Sequence, residues 1–414
     1  MIRLRKTISR TLTLLIAGMT ASVGGAETSP IRPGDRIALV GNTFADQLRM
    51  HGYLETLLLQ RSAGRPVSIR NLGWAGDMLT ARDRPTNFPT EESTLRAHKA
   101  DVIVACFGMG ESFTGETGLA AFRNDLESFI ASHKGKKYNG KSEVRLILIS
   151  PITYEDLGSR TPNHERRNLE LAAYVQTMNE TSAKAGLPFI NLYAPTSALM
   201  ADSVTPKLTG NGVNLNAYGY WCVSRTMADR LLPGPAPWNL TVDAGSGKAE
   251  ARGVAITGVK STEHNLAFTV REETWPSLSA PVEGQIHRDL DSMRDTLSVK
   301  NLPAGAYRLD IDDQPAATAS HEEWNFGVAL NATPTHRELE TYRAAINEKN
   351  QLFVYSWKAL NQVHIVGERR KSASGRALPA EVMEFKKLAD QMDKSLEGGI
   401  KLKTREWRLV RVKK

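Results

Sequence analysis

Short, nearly unbroken apolar runs recur along the first half of the chain, at residues 36–40, 67–72, 101–107, 145–150 and 188–192. Runs this apolar suit strands covered on both faces. Between them, apolar positions fall at helical spacing in the stretches 46–61, 91–99, 118–133, 164–185 and 216–232. In the fourth stretch Leu169, Ala172, Ala173, Val175 and Met178 mark the expected buried stripe. Strand and helix alternating in this way predict a five-stranded parallel sheet with helices on both faces over residues 34–232. Such sheets carry their working residues on loops leaving the carboxyl ends of the strands.

The run Pro233-Gly234-Pro235-Ala236-Pro237 breaks this pattern and reads as a linker. Beyond it, residues 238–333 show short strand-like runs containing Val242, Val254, Ile256, Val259, Leu266, Phe268, Val270, Leu297, Val299, Tyr307, Leu309 and Ile311. Turn residues such as Pro303-Ala304-Gly305 punctuate them, which predicts a small antiparallel β module. Residues 335–414 read as a helical C-terminal extension, with helices over 338–360 and 379–396. The second places Val382, Phe385, Leu388, Ala389 and Met392 on one face.

Charge and composition refine this picture at the two ends. Arg3, Arg5, Lys6 and Arg10 precede a short apolar stretch, residues 11–23, and then Gly24-Gly25-Ala26. That tripartite order predicts a signal peptide over 1–26, cleaved near Ala26, and a secreted or periplasmic protein with no membrane span after cleavage. Of the formal +8 charge, four units lie in this leader, leaving +4, too little to point to a nucleic acid or another polyanion. The last fifteen residues are basic and read as a solvated tail. Cys106 falls in an apolar strand run and Cys222 in a helical stretch, so two separate buried thiols are expected rather than a disulfide scaffold. CxxC, HExxH and phosphate-loop patterns are missing, and no cofactor or metal is expected.

The candidate chemistry lies at the strand ends. Val40-Gly41-Asn42-Thr43 follows the first strand, Asn71-Leu72-Gly73-Trp74-Ala75-Gly76-Asp77 the second, and Phe107-Gly108-Met109-Gly110-Glu111 the third. Asn211-Gly212-Val213-Asn214-Leu215-Asn216 and Ala217-Tyr218-Gly219-Tyr220 open the last helix. In order and placement these four blocks resemble those of the SGNH/GDSL hydrolases. The resemblance covers residues 34–232, about half of the chain, and implies a flavodoxin-like three-layer α/β/α domain. It also implies that Thr43 stands at the nucleophile position, Gly76 at an oxyanion-hole amide and Gly110 at the oxyanion asparagine. By the same likeness Asn211 stands at the acid position and Asn214 at the base position.

Against that pattern the chemistry is depleted. A serine hydroxyl becomes a nucleophile only when a histidine takes its proton and an acid orients the histidine. Here Thr43 keeps a hydroxyl but adds a methyl, Asn42 replaces the preceding aspartate, and Gly110 lacks the amide side chain. Asn211 and Asn214 do not titrate near neutral pH and cannot serve as acid or base. Gly76 keeps its backbone donor. Polar residues that remain available for a pocket are Asn42, Asp77, Glu111, Tyr154 and His164, the last as a candidate relocated base.

The segment Ile346-Asn347-Glu348-Lys349-Asn350-Gln351-Leu352-Phe353 resembles an extension that follows the SGNH-like domain of some bacterial exported proteins. There it continues with His-Arg and Arg-Pro-x-Asn. In this chain Tyr355 takes the histidine's place, Ser356 and Lys358 those of the arginines, and Asn361 is kept. Three readings stay open. One is a catalytically impaired ester hydrolase retaining a cleft for a small molecule, a carbohydrate or an acylated glycan. A second is an active esterase with a rearranged site using Thr43. The third is a scaffolding protein of the cell envelope that meets a protein partner through the β module.

Overall fold

The computed structural model describes residues 29–85, 88–262, 265–281, 294–360 and 371–412. The leader 1–26 and Asn361 lie outside these described residues.

Five parallel strands form the first sheet: β1 Arg36–Gly41, β2 Ser68–Asn71, β3 Val102–Cys106, β4 Arg145–Ile149 and β5 Phe189–Ile190, in the order β2-β1-β3-β4-β5. Side chains alternate between its two faces. Ile37, Leu39, Val102, Val104, Ile147 and Ile149 enter one core, and Ala38, Val40, Ile103, Ala105, Leu146 and Leu148 the other. The first core is covered by α1 Thr43–His51, α2 Tyr53–Arg61 and α7 Ala217–Leu231. The second is covered by α3 Glu91–His98, α4 Leu119–His133 and α5 His164–Ala185. The three-layer α/β/α reading therefore holds, with corrections inside it.

One helix expected over 46–61 is two helices, because Gly52 adopts φ +66 between α1 and α2. That backbone region is costly for other residues, and a Cβ at Gly52 would also run into the Asn347 side chain. In α5 the buried face is Leu171, Tyr174, Val175 and Met178, whereas Leu169 is 77% exposed. A helix not foreseen, α6 Tyr193–Ala201, follows β5, and the Ser150 hydroxyl accepts the Leu192 and Tyr193 amides at its start.

The β module is two sheets facing one core. Strands β6 Asn239–Asp243, β7 Ala249–Arg252, β10 Asp295–Lys300 and β13 Val328–Leu330 form one, in the order β13-β10-β6-β7. The other contains β8 Val254–Ser261, β9 Asn265–Glu272, β11 Ala306–Ile311, β12 Gln314–Ser320 and β14 Thr404–Arg411, in the order β12-β11-β14-β9-β8. Helix α8, His321–Phe326, opens with a capping box between Ser320 and Glu323 and buries Trp324 against this core. Two expectations are corrected here. The module is mixed, since β6 and β10 run parallel. The basic C-terminus is not a solvated tail: β14 is an inner strand between β9 and β11. Its alternation explains this, with Trp407 and Leu409 in the core while Glu406 and Arg408 face out.

Two long helices, α9 Pro334–Trp357 and α10 Ala373–Leu396, pack on each other and on the first domain. Helix α10 starts before Pro379, which lies inside it. The extension is thus a helical pair followed by a strand of the β module.

Where α9 meets the module, Glu272 is buried, and burial raises its carboxyl above the ordinary carboxylate range. Asp295 adds to that shift; Thr335, His336 and Arg405 oppose it. An acid whose folded pKa is raised stabilises the fold below its unfolded pKa, and that contribution is lost as pH rises through the folded value. Glu272→Gln is therefore expected to raise the Tm at neutral pH, with a gain over the parent that shrinks toward about pH 4. Thermal melts of both proteins across that range check this; a pH-independent difference would refute it.

Candidate functional site

The site is built at the carboxyl ends of β1, β2, β3 and β4. At the end of β1, Gly41 has φ +138, and its α-carbon lies so close to the Cys106 carbonyl that any side chain would collide with it. The Asn42 amide then donates to that carbonyl at 3.2 Å. The Asn42 side chain caps α1 by accepting the Phe44 amide at 3.0 Å, which leaves Thr43 as the first residue of the helix.

The loop after β2 crosses in front of this helix start. The Gly76 amide donates to Thr43 Oγ1 at 3.3 Å. A Cβ at Gly76 would meet nothing within 4 Å, so the space beside this donor is open. Asp77 is almost fully buried and takes Arg84 in a two-point contact of 2.8 and 2.5 Å.

Asn42, Thr43, Gly76, Asp77, Gly110 and Asn214 all line one cavity of about 200 Å³. The rest of its wall is largely apolar: Phe44, Met78, Phe107, Met109, Phe113, Pro151, Ile152 and Val213, with Cys106 and Ser150. Of these, sequence reading points to Phe113, just after the third block, and leaves the others unmarked. Their signal was present in the blocks themselves and in Ser150-Pro151-Ile152 directly after the fourth strand.

Other candidate residues hold the loops instead of facing the cavity. Asn211 Oδ1 accepts the Val213 and Asn214 amides at 3.1 and 2.8 Å, and so shapes the turn that presents Asn214. Glu111 accepts the Leu79 and Gly108 amides at 2.9 and 2.8 Å, and burial raises its carboxyl. Glu155, also buried, accepts the Leu208 and Thr209 amides and the Thr209 hydroxyl, which anchors the Asn211–Asn214 turn. The Tyr154 ring lies against Gly212 and does not line the cavity. His164 is at the start of α5, with Nδ1 3.6 Å from Asp156 Oδ1, and it does not line the cavity either. His164 thus stands beside Asp156 and outside the cavity that holds Thr43.

At the Gly110 position the backbone is helical, with φ −64 and ψ −47, which any residue adopts. Beside it the space that a side chain would enter is taken by Met78, whose Cγ and Sδ would lie 3.0 and 3.2 Å from a Cβ at Gly110.

The ionisable groups on the wall are Asp77, neutralised by Arg84, and Cys106, whose thiol burial pushes well above its ordinary value. A thiol so shifted is no nucleophile at neutral pH. No histidine lines the cavity among the described residues. The arrangement can polarise a carbonyl through the Gly76 amide and the start of α1, but offers no proton acceptor to Thr43. Cys222 is also buried and unpaired, its thiol pushed up to about 12 by burial. Among the described residues, no group of three or more His, Cys, Asp and Glu is placed to hold a metal ion, and no helix is long and apolar enough to cross a membrane.

No protein-family model matches the chain, and no curated protein matches its sequence. Solved structures do. A gut microbial diltiazem-metabolizing enzyme superposes with a TM-score of 0.68 at 17% identity, over 93% of this chain and 99% of that one. A catalytic mutant of an acetylxylan esterase from Geobacillus stearothermophilus matches at TM-score 0.38 and 14% identity, over 50% of this chain and 97% of that one. A lipase/acylhydrolase from Enterococcus faecalis matches at TM-score 0.33 and 23% identity, over 47% and 93%. The five-stranded parallel sheet and its helices give this chain the α/β fold of the SGNH/GDSL-type hydrolases, extended by two further β sheets and a C-terminal helical pair.

Proposed function

We propose that this is an exported protein in which an ester-hydrolase cleft binds a small acyl-bearing ligand without turning it over. One observation carries the reading. Thr43, the Gly76 amide and Asn214 share a cavity whose wall, among the described residues, has no histidine and no unpaired carboxylate. General-base catalysis contributes about 10²–10⁴ in rate, and the groups that supply it are replaced by neutral amides. The pocket's apolar lining and surviving amide still suit a short acyl group.

The expected result is no measurable hydrolysis of p-nitrophenyl acetate above the spontaneous rate, together with line broadening or saturation transfer on added ethyl acetate in NMR. The Gly76 donor at Thr43 favours one competing reading, a slow esterase that uses Thr43 directly. Turnover by the parent protein that disappears in Thr43→Ala would establish that reading in place of ours. Export is part of the proposal: the mature chain is expected to begin near Glu27. N-terminal sequencing of protein from the cell envelope or medium checks it, and an intact Met1 in the cytoplasm would overturn it.

A further inference from the structure

We infer that Phe113 is a stacking platform at the mouth of the cavity, and that it selects ligands whose acyl group is attached to a flat aromatic ring. The inference rests on the proposal that the cavity takes the acyl group.

Phe113 is 59% exposed and at the same time lines the cavity. A large apolar side chain left open beside a pocket is normally mobile; this one is fixed. It sits in the single 3₁₀ turn Glu111–Thr114, whose Ser112 and Phe113 amides donate to the carbonyls of Gly108 and Gly110. The Glu111 carboxylate ties the same turn to the Leu79 and Gly108 amides. The Tyr174 hydroxyl donates to the Gly115 carbonyl just beyond it, at 2.9 Å.

The ring itself is held by Arg167, whose guanidinium carbon lies 4.1 Å from the ring centroid. Arg167 is fixed in turn by the Ser112 carbonyl at 2.9 Å, the Ser112 hydroxyl at 3.0 Å and the Glu170 carboxylate at 2.5 Å. A ring with a cation already over one face is a poor receptor for a second cation, because the face's negative quadrupole is engaged. What it offers is a pre-oriented apolar surface for an uncharged ring, in an offset-stacked or edge-to-face contact. The Arg167 contact restricts the ring, so less rotamer freedom of Phe113 is lost on binding, which favours the contact further.

Phenyl acetate and ethyl acetate test this, since they present the same acetyl group with and without a ring. Saturation-transfer NMR titrations on the full-length protein are expected to give phenyl acetate about three- to tenfold tighter binding. Phe113→Ala and Phe113→Leu should both bring the affinity ratio of phenyl acetate to ethyl acetate close to one, whatever they do to each affinity alone; Phe113→Trp should keep the ratio. Leucine retains apolar area but no ring, so its failure separates stacking from hydrophobicity. Equal binding of the two esters, or a phenyl preference that survives in the alanine and leucine variants, overturns the platform while the acyl cavity stands. Binding of neither ester removes the acyl cavity, and the platform with it.

Discussion

Lys349→Ala is expected to destabilise the protein by about 3–5 kcal/mol, the cost of leaving a buried charge without its partner. Lys349 is completely buried. Its ammonium donates to Glu55 Oε1 and lies 3.5 Å from Asp393. Asn350 completes the arrangement, donating to Glu55 Oε2 at 2.9 Å. Next to it Arg70 holds Asp390 and Asp393 at 2.8 and 2.6 Å. This network joins α2 and β2 of the first domain to α9 and α10. Removing the lysine side chain leaves the buried Glu55 carboxylate with the Asn350 amide as its remaining partner, while Asp393 keeps Arg70. The double variant Lys349→Met with Glu55→Gln should recover part of the loss, because it removes the charges from both sides. Urea unfolding followed by circular dichroism measures this, and in a chain of several units the transition that shifts reports the undocking of the helical pair. A change below about 1 kcal/mol in Lys349→Ala would mean that the pair contributes nothing net.

The second large effect is a gain of activity. Combining Thr43→Ser, Gly110→Asn, Asn211→Asp, Asn214→His and Met78→Ala should raise p-nitrophenyl acetate hydrolysis by about 10²–10⁴ over the parent protein. Each substitution fits its place. Asn211 already accepts the Val213 and Asn214 amides through one oxygen, which an aspartate preserves while freeing its second oxygen for the new histidine. Asn214 lines the same cavity as Thr43, so an imidazole there faces the hydroxyl. The backbone at Gly110 accepts an asparagine, and Met78→Ala clears the space its side chain needs. Without the Met78 change a smaller gain is expected, since the methionine must move first. A variant that keeps the parent's Tm and gains no activity would show that the cavity is not a preserved hydrolase pocket.

Much of the first domain was legible from patterning. Strands β1, β3 and β4 read as near-continuous apolar runs because both of their faces are buried, whereas the edge strand β2 carries Ser68, Arg70 and Asn71 and is marked by Val67, Ile69 and Leu72 alone. Three of the four blocks sit directly after a strand, so their residues cannot be far from the strand end; the fourth, Asn211 to Asn216, precedes α7 and is brought beside them by the fold. The roles of polar residues within those blocks were less legible. Glu111, Asn211 and Glu155 look like site chemistry in sequence, yet their oxygens are taken up by loop amides. An acceptor's partner depends on how a loop folds back, which spacing alone does not specify. His164 lies in the loop-to-helix region after the fourth strand and so reads as available for chemistry, but at the start of α5 it stands beside Asp156.

The C-terminal third shows the limit most clearly. The alternation in residues 404–411 has a strand's period, but its charges made the segment read as tail. Only its partners, β9 and β11, which are distant in sequence, decide that it is an inner strand. Likewise, Lys349 and Asn350 read as motif residues of a separate extension, and only packing made them the buried clamp against Glu55. By itself, then, the sequence determined the parallel sheet, the order of the blocks at its edge and the scarcity of titratable groups in them. These are properties of short segments, set by burial period and residue type. The tertiary structure decided that Met78 fills the space beside Gly110, that the chain's end joins the β module, and that a buried ion network docks the helices. Those depend on contacts between residues distant in sequence, whose energy is realised only when the whole chain is folded.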